Sequence, residues 1–483
     1  MDFTIDHSLL NLSYKELEIK NLEMKEKYIL SKRDPHVLEK EITDYLQNED
    51  KIKAIIVFFT DLEGKLLSLE YDKKFLVKSS KNLTFDGSSV RGFSSQDQSD
   101  LKLKIDWASF RWLPADIFGL GKAMVFADVR DQNEDVYNSD FRARLKDFCD
   151  SLHKTEGYSI NIAPEIEGFL VKGMDAEQTF NSDFGFELVT KGGYYNSLPQ
   201  DILRKFIDKV AEVKRALAFE NEKDHPEVAP SQFELNYKYS EAIQAADQIQ
   251  IYKLICRQVA KIMGLTATFL PKPIMNINGS GMHTNISISR NNENLFYGNG
   301  KNNDFASLSE FGQNFASGIL FYAKDLCLIF NSSVNAYRRL DPRFEAPNEI
   351  KMSNNDRGSM IRIPLADKNA ARLEIRSVAP DSNPYLTIFA AIKAGLSGTI
   401  TPSIHNGILS KREKLPANIY DAIRYFKSSK FIKDIMGEEI HDKYIAIKEA
   451  VANRCPKELG NIVKKEEIIY HHEVTNQYIW YNF

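Results

Sequence analysis

The chain has 483 residues, 43% hydrophobic and 27% charged, which are the proportions of an ordinary globular protein with room for two or three domains. Lys plus Arg number 63 and Asp plus Glu 67, a net charge of −4 that argues against a dedicated nucleic-acid or membrane-surface binder. Cys149, Cys256, Cys327 and Cys455 form no CxxC pair, no uncharged apolar run nears a membrane span, and residues 1–6 lack a signal-peptide pattern, so a reducing, cytoplasmic setting is expected.

Residues 14–30 are charged and helix-prone, with Leu17, Leu22, Met24 and Tyr28 as sparse apolar anchors. They read as a solvated helix in an N-terminal extension, residues 1–35, broken at Arg33-Asp34-Pro35. An amphipathic helix is expected at 36–47, then strands at 53–59 and 65–71 joined by the turn residues 61–64 as a hairpin. A further strand at 123–129 closes a small α+β domain over residues 36–134. The remainder, 135–483, alternates strands with helices expected at 140–153, 199–219, 242–263, 304–330 and 383–396.

Several strands in this larger part carry chemically potent residues at alternate positions, which places them on one face. In APEIEGF, Glu165 and Glu167 share a face. In FELNYKY, Glu234 and Asn236 do, in HTNISIS His283, Asn285 and Ser287, and in RLEIR Arg372, Glu374 and Arg376. A single such stripe is usually a solvent-facing sheet surface. These stripes, however, carry carboxylates and arginines with almost no lysine, and Asn278-Gly279-Ser280-Gly281 precedes His283. Arginine and carboxylate suit fixed bidentate and metal-binding roles, and glycine permits close backbone approach. Gathered around one cavity, Glu165, Glu167, Glu227, Glu234, Glu374 and His283 could not all stay ionised without cations. Oxygen ligands with one imidazole suit Mg²⁺ or Mn²⁺ rather than zinc. Arg339, Arg357, Arg362, Arg372 and Arg376 would receive anionic substrates, a combination suited to phosphoryl transfer. No GxxxxGK[ST] or protein-kinase motif is present, so a nucleotide would need another scaffold.

The motifs FDGSSVRGF (85–93), APEIEGF (163–169), KGGY (191–194), HPEVAPSQFE (225–234), NGSGMHTN (278–285), NSSVNAYRRLDPRFEAP (331–347), DRGSMIRIP (356–364) and RLEIR with the following NPYL occur in order. Together they resemble glutamine synthetase of the bacterial type I class, from about residue 36 to the C-terminus. The resemblance implies an α+β fold: an N-terminal β-grasp domain, and a catalytic domain whose antiparallel sheet lines a funnel-shaped active site. It implies ligation of ammonia to glutamate at the expense of ATP, through γ-glutamyl phosphate, with two or three Mg²⁺ or Mn²⁺ ions per site. One metal would take Glu167, Glu227 and Glu234, and the other Glu165, His283 and Glu374. Arg339, Arg376, Asn278 and Gly279, with Glu167, would bind glutamate. Asn285, Ser287, Arg357, Arg362 and Arg372 would serve ATP. Asp86, Ser89, Tyr194, Glu227 and Glu345 would form the ammonium pocket, with Asp86, Glu345 and Arg376 catalytic. A dodecamer of two hexameric rings is implied, with no nucleic-acid or membrane partner.

Three departures stand out. Asn285 occupies a position where a second histidine is common, Arg343 and Phe344 replace Gly and Tyr in a flap, residues 341–347, that the resemblance implies would close over the acyl phosphate, and Ser231 and Phe233 differ near Glu234. Tyr420 resembles the tyrosine that some relatives adenylylate, but it reads as an unmodified residue at a helix start. A γ-glutamyl ligase acting on a polyamine or other amine is the alternative activity, opposed by the intact Asp86-Gly87-Ser88-Ser89. A non-catalytic regulator on the same fold is a third reading, opposed by the complete ligand set.

Overall fold

A computed structural model describes residues 12–31, 35–177, 185–196, 201–298, 308–354, 356–364, 366–398 and 413–453. The N-terminal part holds β1 (Ala54–Thr60), β2 (Leu66–Asp72), β3 (Leu83–Asp86), β4 (Asp100–Trp112) and β5 (Lys122–Arg130), in the spatial order β2-β1-β5-β4-β3. The expected hairpin is present: β1 pairs antiparallel with β2, from Ala54 opposite Asp72 to Thr60 opposite Leu66. β1 runs parallel to β5 and the other pairs are antiparallel. Alternation in β1 buries Ile55, Val57 and Phe59 in a core shared with Leu103, Phe110 and Val125.

The larger sheet comprises β6 (Tyr158–Lys172), β7 (Asn221–Pro226), β8 (Gln232–Tyr237), β9 (Ser240–Glu241), β10 (Leu265–Thr268), β11 (Met282–Arg290), β12 (Glu293–Asn294), β13 (Glu349–Ser353), β14 (Ser359–Arg362) and β15 (Leu373–Ile375). Its path is β13-β14-β15-β11-β6-β8-β7, with β9 and β10 also on β6 and β12 on β11. It is antiparallel except at the β13–β14 edge, which is parallel. The long central strands β6 and β11 pair over nine positions, from Met282 opposite Ile166 to Arg290 opposite Tyr158. Helices Phe141–Glu156, Ala242–Ile262 and Pro384–Leu396 supply the apolar backing. Asp140 and Asn383 cap two of them, each side chain accepting from two backbone N–H groups of the first turn.

Three expectations change. The span 304–330 is not one helix: Glu310–Phe321 and Ala323–Phe330 meet at Tyr322, and its start lies outside the described residues. The span expected to start at 199 forms a helix only over Ile202–Ala216, capped by Asp201, and residues 199–200 lie outside the described residues. The helix Tyr14–Ser31 is docked rather than solvated, with Leu17, Asn21, Met24 and Lys25 buried. Asn21 is fully buried, and its amide donates to the carbonyls of Trp112 (3.0 Å) and Ala216 (2.7 Å) while its oxygen accepts from Trp112 N (2.9 Å). One side chain therefore joins β4 to the helix Ile202–Ala216. Asn21→Ala would strand these backbone groups and is expected to cost about 2–4 kcal/mol, measurable as a lowered urea midpoint. Tyr420 lies in the helix Ile419–Ser428 capped by Asn418, and its hydroxyl donates to Ala452 O at 3.0 Å.

Candidate active site

Register places the charged stripes side by side. His283 lies opposite Glu165, Glu167 opposite Glu234, Asn285 opposite Glu374, and Arg362 opposite Glu374. Adjacent strands in register present their same-face side chains to one another, so the period-2 stripes merge into one polar surface. Its centre is a cavity of about 250 Å³ lined by carboxylates and cations.

Two groups of donor atoms, each within 4.8 Å, meet there: Glu165, His283 and Glu374, and His225, Glu227 and Glu234, with all but His225 and Glu374 lining the cavity itself. In the first, His283 Nδ1 lies 3.6 Å from Glu165 and 3.7 Å from Glu374. Burial opposes ionisation of Glu165, but His283 overrides it and holds the carboxyl at about 2. In the second, burial and then the neighbouring Glu167 charge push Glu227 up to about 8, and Glu234 rises well above its ordinary value for the same reasons. Such mutual repulsion is the condition a bound cation relieves. His225 Nδ1 lies 3.1 Å from Pro226 O, so it carries the proton and donates to that carbonyl. Its buried Nε2 has no hydrogen-bond partner among the described residues and faces Glu234 at 3.7 Å. An orphaned imidazole nitrogen beside a hard carboxylate fits a divalent ion.

Glu167 stands between the groups. Its carboxylate accepts from Gly281 N (2.8 Å) and Gln232 Nε2 (3.3 Å), and its other oxygen is 3.9 Å from His283. Arg339 is 3% exposed, anchored by donation to Val378 O (3.2 Å) and Arg376 O (2.9 Å). Arg376 pairs with Glu374 at 2.7 Å and reaches the flap at Glu345 O, 3.3 Å. Arg362 also pairs with Glu374. Asn285 links Glu165 to Arg372, donating to the first at 3.2 Å and accepting from the second at 3.0 Å. Gly279 has its backbone against Pro271, whose carbonyl would lie 2.3 Å from an added Cβ. Glu345 accepts from Asn278 Nδ2 at 3.0 Å and lies 3.6 Å from Arg357.

This arrangement can bind divalent cations beside polyanions. Profiles of the glutamine synthetase catalytic domain and the glutamine synthetase β-grasp domain match residues 138–462 and 51–132. The chain belongs to the glutamine synthetase family. Glutamine synthetase of Methanosarcina mazei is 34% identical over 419 residues, covering 83% of this chain and 91% of its own. That of Staphylococcus aureus strain MW2 is 32% identical over 416 residues, covering 82% and 91%. In fold, the chain is similar to Plasmodium falciparum glutamine synthetase, with TM-score 0.78, 22% identity and coverage of 88% and 98%. It is likewise similar to a GmaS/ADP complex, with TM-score 0.73, 25% identity and coverage of 88% and 99%.

For a member of the glutamine synthetase family, most of the residues expected from sequence meet in one chain: Glu165, Glu167, Tyr194, Glu227, Glu234, Asn278, Gly279, His283, Arg339, Glu345, Arg357, Arg362, Arg372 and Arg376 line the cavity. Glu374, fully buried, and Asn285 sit directly behind it. Ser287 lies opposite Asn161, further along β11, and does not line it. Asp86 and Ser89 are exposed in the N-terminal domain and do not line it either. The Ser88 and Ser89 hydroxyls donate to Asp86 at 2.6 and 2.7 Å and hold its carboxyl below the ordinary range. His225 is not among the residues singled out from sequence, yet it lies in the close donor group with Glu227 and Glu234. Its signal was in the sequence: it precedes Glu227 by two, and β7 sets it opposite Glu234. Tyr195 was also missed. Its ring stacks on Tyr194 with centroids 3.7 Å apart and lines the cavity.

Proposed function

We propose that the protein is a glutamine synthetase of the bacterial type I class, ligating ammonia to L-glutamate with ATP to give L-glutamine, ADP and phosphate. The observation that carries this reading is the convergence of two carboxylate–histidine groups with five arginines on one cavity. Glu165, His283 and Glu374 would hold one Mg²⁺ or Mn²⁺, and Glu227 and Glu234, with Glu167 and His225, another. When bound, these ions supply charge neutralisation for ATP and the transferred phosphoryl group.

Arg357, Arg362 and Arg372, the last held by Asn285, face the polyphosphate. Arg339, immobilised by two backbone carbonyls, grips the α-carboxylate of glutamate, while Asn278 and the Gly279 backbone receive its amino end. Arg376 orients the γ-carboxylate, whose oxygen attacks the γ-phosphorus as the bond to ADP breaks. Ammonium sits among Asp86, Ser89, Tyr194, Glu227 and Glu345 and passes a proton to Asp86. The ammonia nitrogen then attacks the acyl carbon, the adduct nitrogen gives a second proton to the Glu345 carboxylate, and phosphate leaves as the C–O bond breaks to give the amide. Glu345, on its flap, covers the acyl phosphate against water. The site is completed by a neighbouring subunit in a homododecamer of two stacked rings.

Ligation of another amine is the alternative, and the intact Asp86-Gly87-Ser88-Ser89 favours ammonia. The test is ATP-dependent product formation from glutamate with ammonium, methylammonium, ethanolamine and putrescine in parallel. Ammonium should give the highest kcat/KM, and a higher value with another amine would transfer the assignment. Methionine sulfoximine, which mimics the tetrahedral adduct, should be phosphorylated and trap the enzyme. Arg376→Ala should lose this trapping more than Arg339→Lys, and equal trapping in both would show the glutamate assignment to be wrong.

A further inference from the structure

A lysine outside the catalytic set joins the flap to the loop beneath it. Lys272 is 6% exposed, and its backbone is fixed by Asn335, which accepts from Lys272 N at 2.7 Å and donates to its carbonyl at 2.9 Å. From there the side chain runs beside Gly279, where an added Cβ would lie 3.3 Å from Lys272 Cδ. Its ammonium donates to Ile277 O and stands 3.8 Å from the centre of the Phe344 ring. A cation so placed over an aromatic face is attracted to it, more strongly when both are shielded from water.

Phe344 ends the short turn Pro342–Phe344, and Glu345 follows with φ +60°, a left-handed conformation unusual for glutamate. The carboxylate of Glu345 is therefore aimed by a tight turn whose ring is seated on Lys272. On the outer side Arg343 pairs with Asp341 at 2.7 Å, with its side chain 84% exposed, and its guanidinium stands 5.9 Å from the centre of the same ring, a longer and water-exposed contact than that of Lys272. Asn278, one residue beyond Ile277, donates to Glu345 at 3.0 Å. Loop and flap are thus fastened at two points, one of them the ammonium.

We infer that Lys272 is a positioning residue for coupling: by holding the Phe344 ring and the Ile277 carbonyl together, it keeps the Glu345 flap over the acyl phosphate until the amine reacts. The inference rests on the ligase reading above. Loss of a shielded ammonium–ring contact should shift an open–closed equilibrium by about 30-fold. An acyl phosphate left open is hydrolysed, so ATP would be spent without glutamine.

The experiment measures phosphate released per glutamine formed, together with amide hydrogen exchange of residues 341–347 and 277–279 against the β6 peptide. Phe344→Leu and Lys272→Met should each raise the ratio from near one to several and speed exchange in both loops, leaving β6 unchanged. Phe344→Tyr, which keeps the ring, should hold both readouts at the wild-type level, and the double variant should be no worse than either single one. A Phe344→Leu protein with wild-type stoichiometry overturns the inference, even if its flap exchanges faster. If the wild-type chain makes no glutamine, the ligase reading fails on its own account. The exchange arm then decides the latch, and unchanged exchange in Lys272→Met refutes it.

Discussion

Glu227→Gln is expected to lower glutamine formation by about 1,000-fold or more while leaving the fold intact. The substitution keeps the shape of the side chain and removes one charge from a donor group in which Glu227, Glu234 and His225 lie within 4.8 Å. Without a cation, burial and Glu167 already push the Glu227 carboxyl up to about 8, so the glutamine resembles the protonated acid of the metal-free protein. Thermal stability without metal should therefore be unchanged or slightly raised. The stabilisation that Mn²⁺ confers on the wild type by binding the folded state should shrink in the variant. Glu167→Gln should be equally inactive for an additional reason, since its carboxylate accepts from Gly281 N at 2.8 Å and so sets the loop that leads to His283. Near-wild-type turnover of either variant at ordinary Mg²⁺ would remove the two-metal reading.

The parts of the site that could be read from sequence are those governed by strand parity. Glu165 with Glu167, and His283 with Asn285, differ by two residues within long paired strands, and the observed register carries those faces into contact. Parity says nothing about which strands are neighbours, and the pairing of Arg362 with Glu374 across β14 and β15 depends on sheet order alone. His225 escaped because its strand is short and ends at Pro226, which hides the period. The docked N-terminal helix escaped for a different reason. Its buried face includes Asn21 and Lys25, polar residues that look solvated until Trp112 O, Ala216 O and Glu220 are brought to meet them. The break at Tyr322 follows from no glycine or proline, and an apolar run through it reads as one helix.

Asp86 and Glu345 should complement each other between subunits. In one chain, Glu345 lines the cavity whereas Asp86 is exposed on the N-terminal domain, outside that lining. The Asp86 side chain accepts from Ser88 and Ser89, so the loop holds an ionised carboxylate at the exposed surface of the small domain. An outward carboxylate that lies outside the cavity of its own chain fits a heterologous contact, in which the small domain of one subunit would close the cavity of the next. Asp86→Ala alone and Glu345→Ala alone should each be nearly inactive, the first through loss of the acceptor and the second through loss of the flap carboxylate. Co-expressed at equal levels with different tags, the two variants would mix at random around a ring. A site then draws an intact Asp86 with a chance of one half and an intact Glu345 with a chance of one half. About one quarter of sites would be whole, and roughly a quarter of wild-type activity should return. If both residues served a site within one chain, every site would keep a lesion, so a mixed assembly, verified by purification on both tags, that stays at the single-variant level would refute the shared site. A mixture of separately purified, unexchanged assemblies supplies the baseline, because its rings contain no mixed contacts.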